Sequence, residues 1–373
     1  MVANHLSHRG AARAKRAVLG PPCWARGILA AMATGSRGVG RSIALMNQKG
    51  GVGKTTSAVN IAAGLAGLGR RVLLIDMDPQ AHASLHLGVE LAPGETGVYD
   101  LLLEPTTPLA RVAREVRPGL VLLPASTDLA GVETQLASAP DRLTRLRTAL
   151  SQAREHFDFV IIDCPPSLGL LTLCALAAAR EVIIPMQAHF LALQGVGKLL
   201  ETVAVVNASV LAPIGAAPLR VAGVVLCVHD SVTSHAREVL ADLEQFFESA
   251  RGGTSAYAGA RVYRPHVRRN IKLAECPSFG KHVFEYAPWC PGAMDYRQLA
   301  EVLSGELDEL RAGRAAQPFA PRATSRAAEE RPEETSDERP QERPQQRLEN
   351  RPEVVVTALA EIDRAPSRTP GHA

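Results

Sequence analysis

Aromatic residues make up only 4% of this chain, too few to build a platform on which single-stranded bases stack in succession. No run approaches the roughly eighteen to twenty apolar residues that a membrane-spanning helix requires. The cysteines Cys23, Cys164, Cys174, Cys227, Cys276 and Cys290 stand far apart, with no CxxC spacing. That argues against a disulfide or zinc framework and fits a reducing compartment. Acids are missing altogether from residues 1–41, which hold seven of the 41 lysines and arginines. The remaining 34 basic residues face 38 acids, so the overall charge of +3 is no guide to the body. Any nucleic-acid contact there must come from a local basic patch.

What the chain does have is apolar bulk, 46% of 373 residues, enough for a full core. Short apolar runs alternate with helical patterns. SIALMN, RVLLIDMD, LVLLPAS, FDFVIIDCP, EVIIPM and RVAGVVLCV are rich in Val, Ile and Leu, as strands buried on both faces of a parallel sheet are. Amphipathic stretches such as SAVNIAAGLAGLG and DRLTRLRTALSQAREHF lie between them. A repeated βα alternation predicts an α/β fold, a doubly wound and mostly parallel sheet with helices on both faces. Ligands in such sheets bind at the carboxyl ends of the strands.

The turn after the first strand reads KGGVGKTT, residues 49–56. Gly50, Gly51, Val52 and Gly53 offer main-chain N–H groups to phosphates at a helix N-terminus. Lys54 is placed to reach the β- and γ-phosphates, Thr55 to ligate Mg²⁺, and Thr56 to donate toward the α-phosphate. One lysine suffices for this task, so Lys49 raises a separate question. Two carboxylates, Asp76 and Asp78, close the strand RVLLIDMD; being two apart they share a face and look toward the cleft. Asp163 ends the apolar run FVII, where a Walker B acid holds hydrated Mg²⁺. Taken alone, an acid at that point would read as a helix N-cap.

KGGVGKTT, RVLLIDMDPQ and FVIIDCPPSLG together resemble the deviant Walker ATPases, and within them the ParA/Soj partitioning proteins, over about residues 42–310. The resemblance implies ATP and Mg²⁺ as ligands and a P-loop NTPase fold. It makes Lys49 a signature lysine that reaches the nucleotide of the partner subunit in an ATP-dependent homodimer. It further implies that Asp78 positions the attacking water and that Asp76 lies near the Mg²⁺ shell. Cys164 and Cys174 lie ten apart across a Pro-Pro turn, which does not match the cluster ligands of nitrogenase-type iron proteins.

Residues 261–284, RVYRPHVRRNIKLAECPSFGKHVF, crowd Arg261, Arg264, Arg268, Arg269, Lys272 and Lys281 around the single acid Glu275. The segment resembles the one through which ParA proteins touch the DNA backbone, so Arg268, Arg269, Lys272 and Lys281 are the DNA-contact candidates, for non-specific, salt-sensitive binding to duplex DNA. The competing reading is a solvated loop whose Asn270 helps hold the adenine ring. Three positions depart from the family pattern: Val232 stands for an arginine, and His189 and Gln194 for glutamates.

The ends read differently from the body. Residues 1–41 read as a disordered basic extension or an over-long start ahead of Met32, with a transit peptide or a DNA-holding arm as the alternatives. Residues 312–373 read as an Arg/Pro/Glu-rich disordered tail with a possible short helix at 354–364. That leaves 42–311 as the ATPase domain. The resemblance implies a slow ATPase in the bacterial cytoplasm, on the nucleoid, stimulated by a ParB-like protein and driving chromosome or plasmid partitioning. Positioning of a protein cargo is the alternative. A MinD-like membrane switch is disfavoured, because the end of the chain lacks a basic amphipathic face.

Overall fold

Six parallel strands carry the molecule, and they are the six apolar runs: β1 (Arg41–Leu45), β2 (Val72–Asp76), β4 (Leu120–Leu123), β5 (Phe159–Asp163), β6 (Glu181–Met186) and β7 (Arg220–Leu226). The structure, a computed structural model, describes residues 40–151, 155–188, 191–228 and 234–315. Residues 1–39 of the N-terminal arm, residues 316–373 of the tail with the 354–364 helix, His189 and Val232 therefore lie outside the described residues.

Two further strands complete the sheet in the order β3–β4–β2–β5–β1–β6–β7–β8. β3 (Arg114–Arg117) runs antiparallel to β4 at one edge, and β8 (Arg261–Val262) is two residues long at the other. Neither has an apolar run to announce it. β3 reads REVR and is half-buried at best, as edge strands often are. At β7, Gly223 adopts φ 153, and a Cβ there would collide with the Arg261 carbonyl, so β8 can approach only a glycine.

Helices cover both faces. On one face lie α1 (Lys54–Gly67) and the 25-residue α7 (Pro291–Ala315); their apolar sides meet Leu45, Leu74, Phe159 and Ile161 of the sheet. The other face carries α2 (Arg145–Ser151), α3 (Leu170–Ala178), α4 (Leu191–Val206) and α5 (Ser234–Ala250) over Leu73, Ile75, Val160 and Ile184. α6 (Val283–Tyr286) sits beside a small separate core of Cys276, Val283, Ala287, Cys290 and Ala293.

Two findings modify the sequence reading. α4 continues through a π-turn to Ile214, and Gly195–Ile214 is long and apolar enough to cross a membrane. It is a core helix here: Val196, Leu199, Val203, Val206, Val210 and Leu211 are all buried in the sheet's cover. Arg41, which closes the basic N-terminal segment, opens β1 and is only 6% exposed. Its guanidinium pairs with Glu181 and Glu306, each at 2.5 Å, joining β1, β6 and α7. α7 itself runs to Ala315, past the expected edge at 311.

Candidate nucleotide site

The motifs converge at the carboxyl ends of β1, β2, β5 and β7. β1 leads through residues 46–53 into α1, whose N-cap is Gly53 at φ 96, with no side-chain cap and no acid in the first turn. The helix thus turns its uncapped N–H groups and the positive end of its dipole toward an anion. A Cβ on Gly53 would lie 3.3 Å from the Cys227 Cβ, so glycine serves both the left-handed turn and the tight approach.

The loop is held from several sides. Asn47 donates through Nδ2 to the Pro185 carbonyl at 2.8 Å and accepts from the Lys49 N–H at 3.0 Å. Gln187 Nε2 donates to the Gly51 carbonyl at 3.2 Å. Lys54 is buried, and its Nζ donates to the Lys49 carbonyl at 3.1 Å. Burial lowers the Lys54 pKa, and the charge of Asp163 opposes that shift. The two lysines therefore part ways: Lys54 folds into its own loop, and Lys49 is exposed at the rim.

Asp76 and Asp163 are register partners in β2 and β5, and both are fully buried. Asp76 is well satisfied: Oδ2 accepts from the Ser84 N–H and hydroxyl, each at 2.8 Å, and Oδ1 accepts from the Asp78 N–H at 3.2 Å. Burial still raises its pKa to about 6. In Asp163 neither oxygen has a well-formed hydrogen bond, and the nearby Thr55 hydroxyl and Lys54 charge only partly offset its burial; burial and then the charge of Asp76 raise its pKa well above the carboxylate range. A buried carboxylate with both oxygens unmatched, next to the loop threonine Thr55, suits a hydrated Mg²⁺. Asp78 lies past the end of β2, where the chain has turned: it lines the cleft, and Asp76 sits beneath as its support.

The cleft holds about 800 Å³ and is lined by the loop glycines, Lys54, Thr56 and Asp78 on one side and by Arg269 and Asn270 on the other. Asn270 Oδ1 accepts from the Lys272 N–H at 2.9 Å, which fixes the turn that presents its amide. A second cavity, about 770 Å³ around Arg41, Glu181 and Tyr263, lies at the opposite end of the strands, away from the loop.

The basic segment is less uniformly charged than its sequence. Arg261 pairs with Glu306, Arg264 with Glu244 at 2.6 Å, Arg268 with Asp295 at 2.7 Å, and Lys272 with Glu275 at 2.7 Å. Only Glu275 is a sequence neighbour; the other acids arrive from α5 and α7. Arg269 and Lys281 are exposed and have no carboxylate partner among the described residues. Gln194 lies in α4.

Sequence reasoning missed three residues. Ser84 holds Asp76; Tyr296 on α7 shares a 2.9 Å hydrogen bond with Ser57 on α1; and Cys227, 2% exposed, packs beneath Gly53. Burial lifts the Cys227 thiol to about 11, so it stays neutral. All five described cysteines are buried and unpaired, and no group of three or more metal-ligating side chains forms among the described residues.

The family model described as an AAA domain matches residues 40–213. The chromosome-partitioning ATPase Soj of Thermus thermophilus is 46% identical over 270 residues, covering 72% of this chain and 97% of its own. The chromosome partitioning protein ParA of Caulobacter vibrioides is 40% identical over 279 residues, 74% of this chain and 98% of its own. Cobyrinic acid a,c-diamide synthase of Mycobacterium smegmatis, solved with an ATP analog and magnesium, is 36% identical with a TM-score of 0.59, covering 76% of this chain and 100% of that one. With a complete P-loop, an unmatched Asp163 beside it and relatives of this identity over nearly their whole length, the chain belongs to the ParA/Soj family of chromosome-partitioning ATPases and works with Mg-ATP.

Proposed function

We propose that ATP draws two copies of this chain together across their P-loops, with Lys49 of each reaching the phosphates held by the other. The observation that supports this is the division of labour between the two lysines: Lys54 is buried in its own loop and Lys49 is exposed at the rim, its main chain held by Asn47 and Lys54. A cation supplied in trans adds to the charge around a triphosphate more than around a diphosphate, so ATP and not ADP favours the pair.

In the same reading Lys54, Thr56 and the N–H groups of residues 50–53 grip the phosphates, and Asn270 faces the base. Thr55 and Asp163 hold Mg²⁺, which when bound neutralises phosphate charge, and Asp76 supports them from beneath. Asp78 orients the attacking water. Phosphoryl transfer asks little more of a protein than such positioning and charge balance. The paired form then binds duplex DNA without reading sequence, chiefly through Arg269 and Lys281, with Arg268 and Lys272 shaping the surface. A ParB-like protein stimulates slow hydrolysis and releases it, on the bacterial nucleoid. A chromosome is the favoured cargo, since the relatives are chromosome-partitioning proteins.

Sedimentation velocity with ATP, ADP or no nucleotide tests the pairing. A dimer formed with ATP alone and lost in Lys49→Ala agrees with the proposal; an ATP dimer that persists in Lys49→Ala contradicts it.

A further inference from the structure

A third cavity, about 480 Å³, lies between the last turns of α1 and the start of α7, away from the nucleotide. Its floor is apolar: Ala63, Gly64, Gly67 and Leu68 of α1 and its C-cap, Leu120 of β4, and Phe284 of α6. Leu68 is 41% exposed. Gly64 matters to the shape, since a Cβ there would press within 2.8 Å of the Ala300 Cβ and 3.3 Å of the Phe284 ring. Two arginines stand on the rim. Arg117 is bound to Glu285 at 2.5 Å. Arg297 lies 5.8 Å over the Phe284 ring and pairs with no carboxylate among the described residues. An apolar groove with an uncompensated cation at its lip suits an amphipathic segment that carries an acid beside its apolar stripe.

The chain itself supplies one. Residues 354–364, VVVTALAEIDR, place Val355, Leu359 and Ile362 at i, i+4 and i+7, with Asp363 next to that stripe and Glu361 further round. Eleven residues are too few for a stable helix in water, so any helix here would need a surface to form on. The reach is adequate. The described chain ends at Ala315 on α7, whose last turns are clamped by Arg311 to Asp158 at 2.8 Å and by Arg70 to Asp308 at 2.5 Å. From Ala315 back to Arg297 is about five turns, or ~27 Å. The intervening residues 316–353 can cover that distance with much to spare, since an extended chain reaches ~3.3 Å per residue.

We propose that this groove is the docking site of the chain's own C-terminal segment, residues 354–364, with Val355, Leu359 and Ile362 on the apolar floor and Asp363 at Arg297. The tether sets a local concentration on the order of millimolar, so even a weak contact is mostly made. Because the floor is the far end of the helix that begins at the P-loop, the docked tail braces the nucleotide helix from its C-terminal end.

Hydrogen–deuterium exchange on the full chain tests this. Amides in 354–364 should be protected about tenfold or more in the unaltered chain, and that protection should vanish in Leu68→Asp and in Arg297→Glu, both at exposed positions. The reciprocal variant, Leu359→Asp with Ile362→Asp, should speed exchange at residues 64–69 and 283–286. A synthetic peptide of residues 350–367 added to that variant should restore the slow rates. Unprotected tail amides, or rates at 64–69 indifferent to the tail substitutions, overturn the proposal. So does protection that climbs with protein concentration, which would assign the groove to a second copy.

Discussion

Asp76 and Asp163 face each other across adjacent strands, both fully buried, yet only Asp76 is well satisfied by hydrogen bonds. The fold has spent Ser84 and the Asp78 N–H on one carboxylate and left the other with only Thr55 and Lys54 nearby. Asp163→Asn should therefore show its effect only with ligand. Without nucleotide, burial already keeps Asp163 neutral, so an amide of the same shape should change stability by less than about 1 kcal/mol. With Mg-ATP, the extra thermal stabilisation seen in the parent should largely disappear. Thermal unfolding of both proteins, with and without Mg-ATP, checks both outcomes.

Lys54→Ala should cut turnover by at least about 100-fold, as loss of a preorganised phosphate contact does. The fold should survive, because the hydrogen bond that Lys54 makes within the chain is to the Lys49 carbonyl of its own loop, and Asp163, whose charge it faces, is kept neutral by burial. Steady-state phosphate release beside a thermal melt separates the two effects.

Arg268 and Arg269 are neighbours with different partners. Arg268 grips the buried Asp295 with both its Nε and Nη2, so Asp295→Ala should destabilise the fold by about 2 kcal/mol. Arg269→Ala should leave stability unchanged and weaken DNA binding. In a dimer that loses one phosphate contact per subunit, the log–log salt slope should shallow by about 2. Denaturant melts and salt titrations measure the two outcomes.

His86 is 2% exposed, its Nε2 is 3.4 Å from the Cys276 Sγ, and burial, then His282, lower its pKa from 6.5 to about 4. Its neutral form belongs to the folded state, so the stability it allows is complete above pH 6.5 and is lost as pH falls toward 4. At pH 5 the loss is about 2 kcal/mol. His86→Gln should remove that loss at pH 5 and flatten the pH dependence between 6.5 and 4 by about 2.5 kcal/mol, read from urea midpoints at several pH values.

The nucleotide loop was fully legible, because a P-loop is local: glycines, lysine and threonines act within eight residues of one another. The six central strands were legible because parallel strands are apolar on both faces. The edge strands were not, since REVR at β3 has no apolar period and β8 exists by virtue of Gly223 opposite Arg261. The pairing of Asp76 with Asp78 was read as one strand face, but β2 ends at Asp76 and the turn puts Asp78 at the cleft and Asp76 below it. The basic segment misled most. Counted along the chain it has one acid, but Glu244, Asp295 and Glu306 come from helices elsewhere in the sequence and claim three of its arginines. No spacing rule reports a partner brought by tertiary packing.

The central claim joins nucleotide to DNA through Lys49. The most direct measurement is binding to a random-sequence duplex with ATP, ADP or no nucleotide, for the parent chain and Lys49→Ala, over a range of salt. The account predicts binding with ATP only, falling steeply with salt and absent in Lys49→Ala. Equal binding with ADP, or undiminished binding by Lys49→Ala, would contradict it.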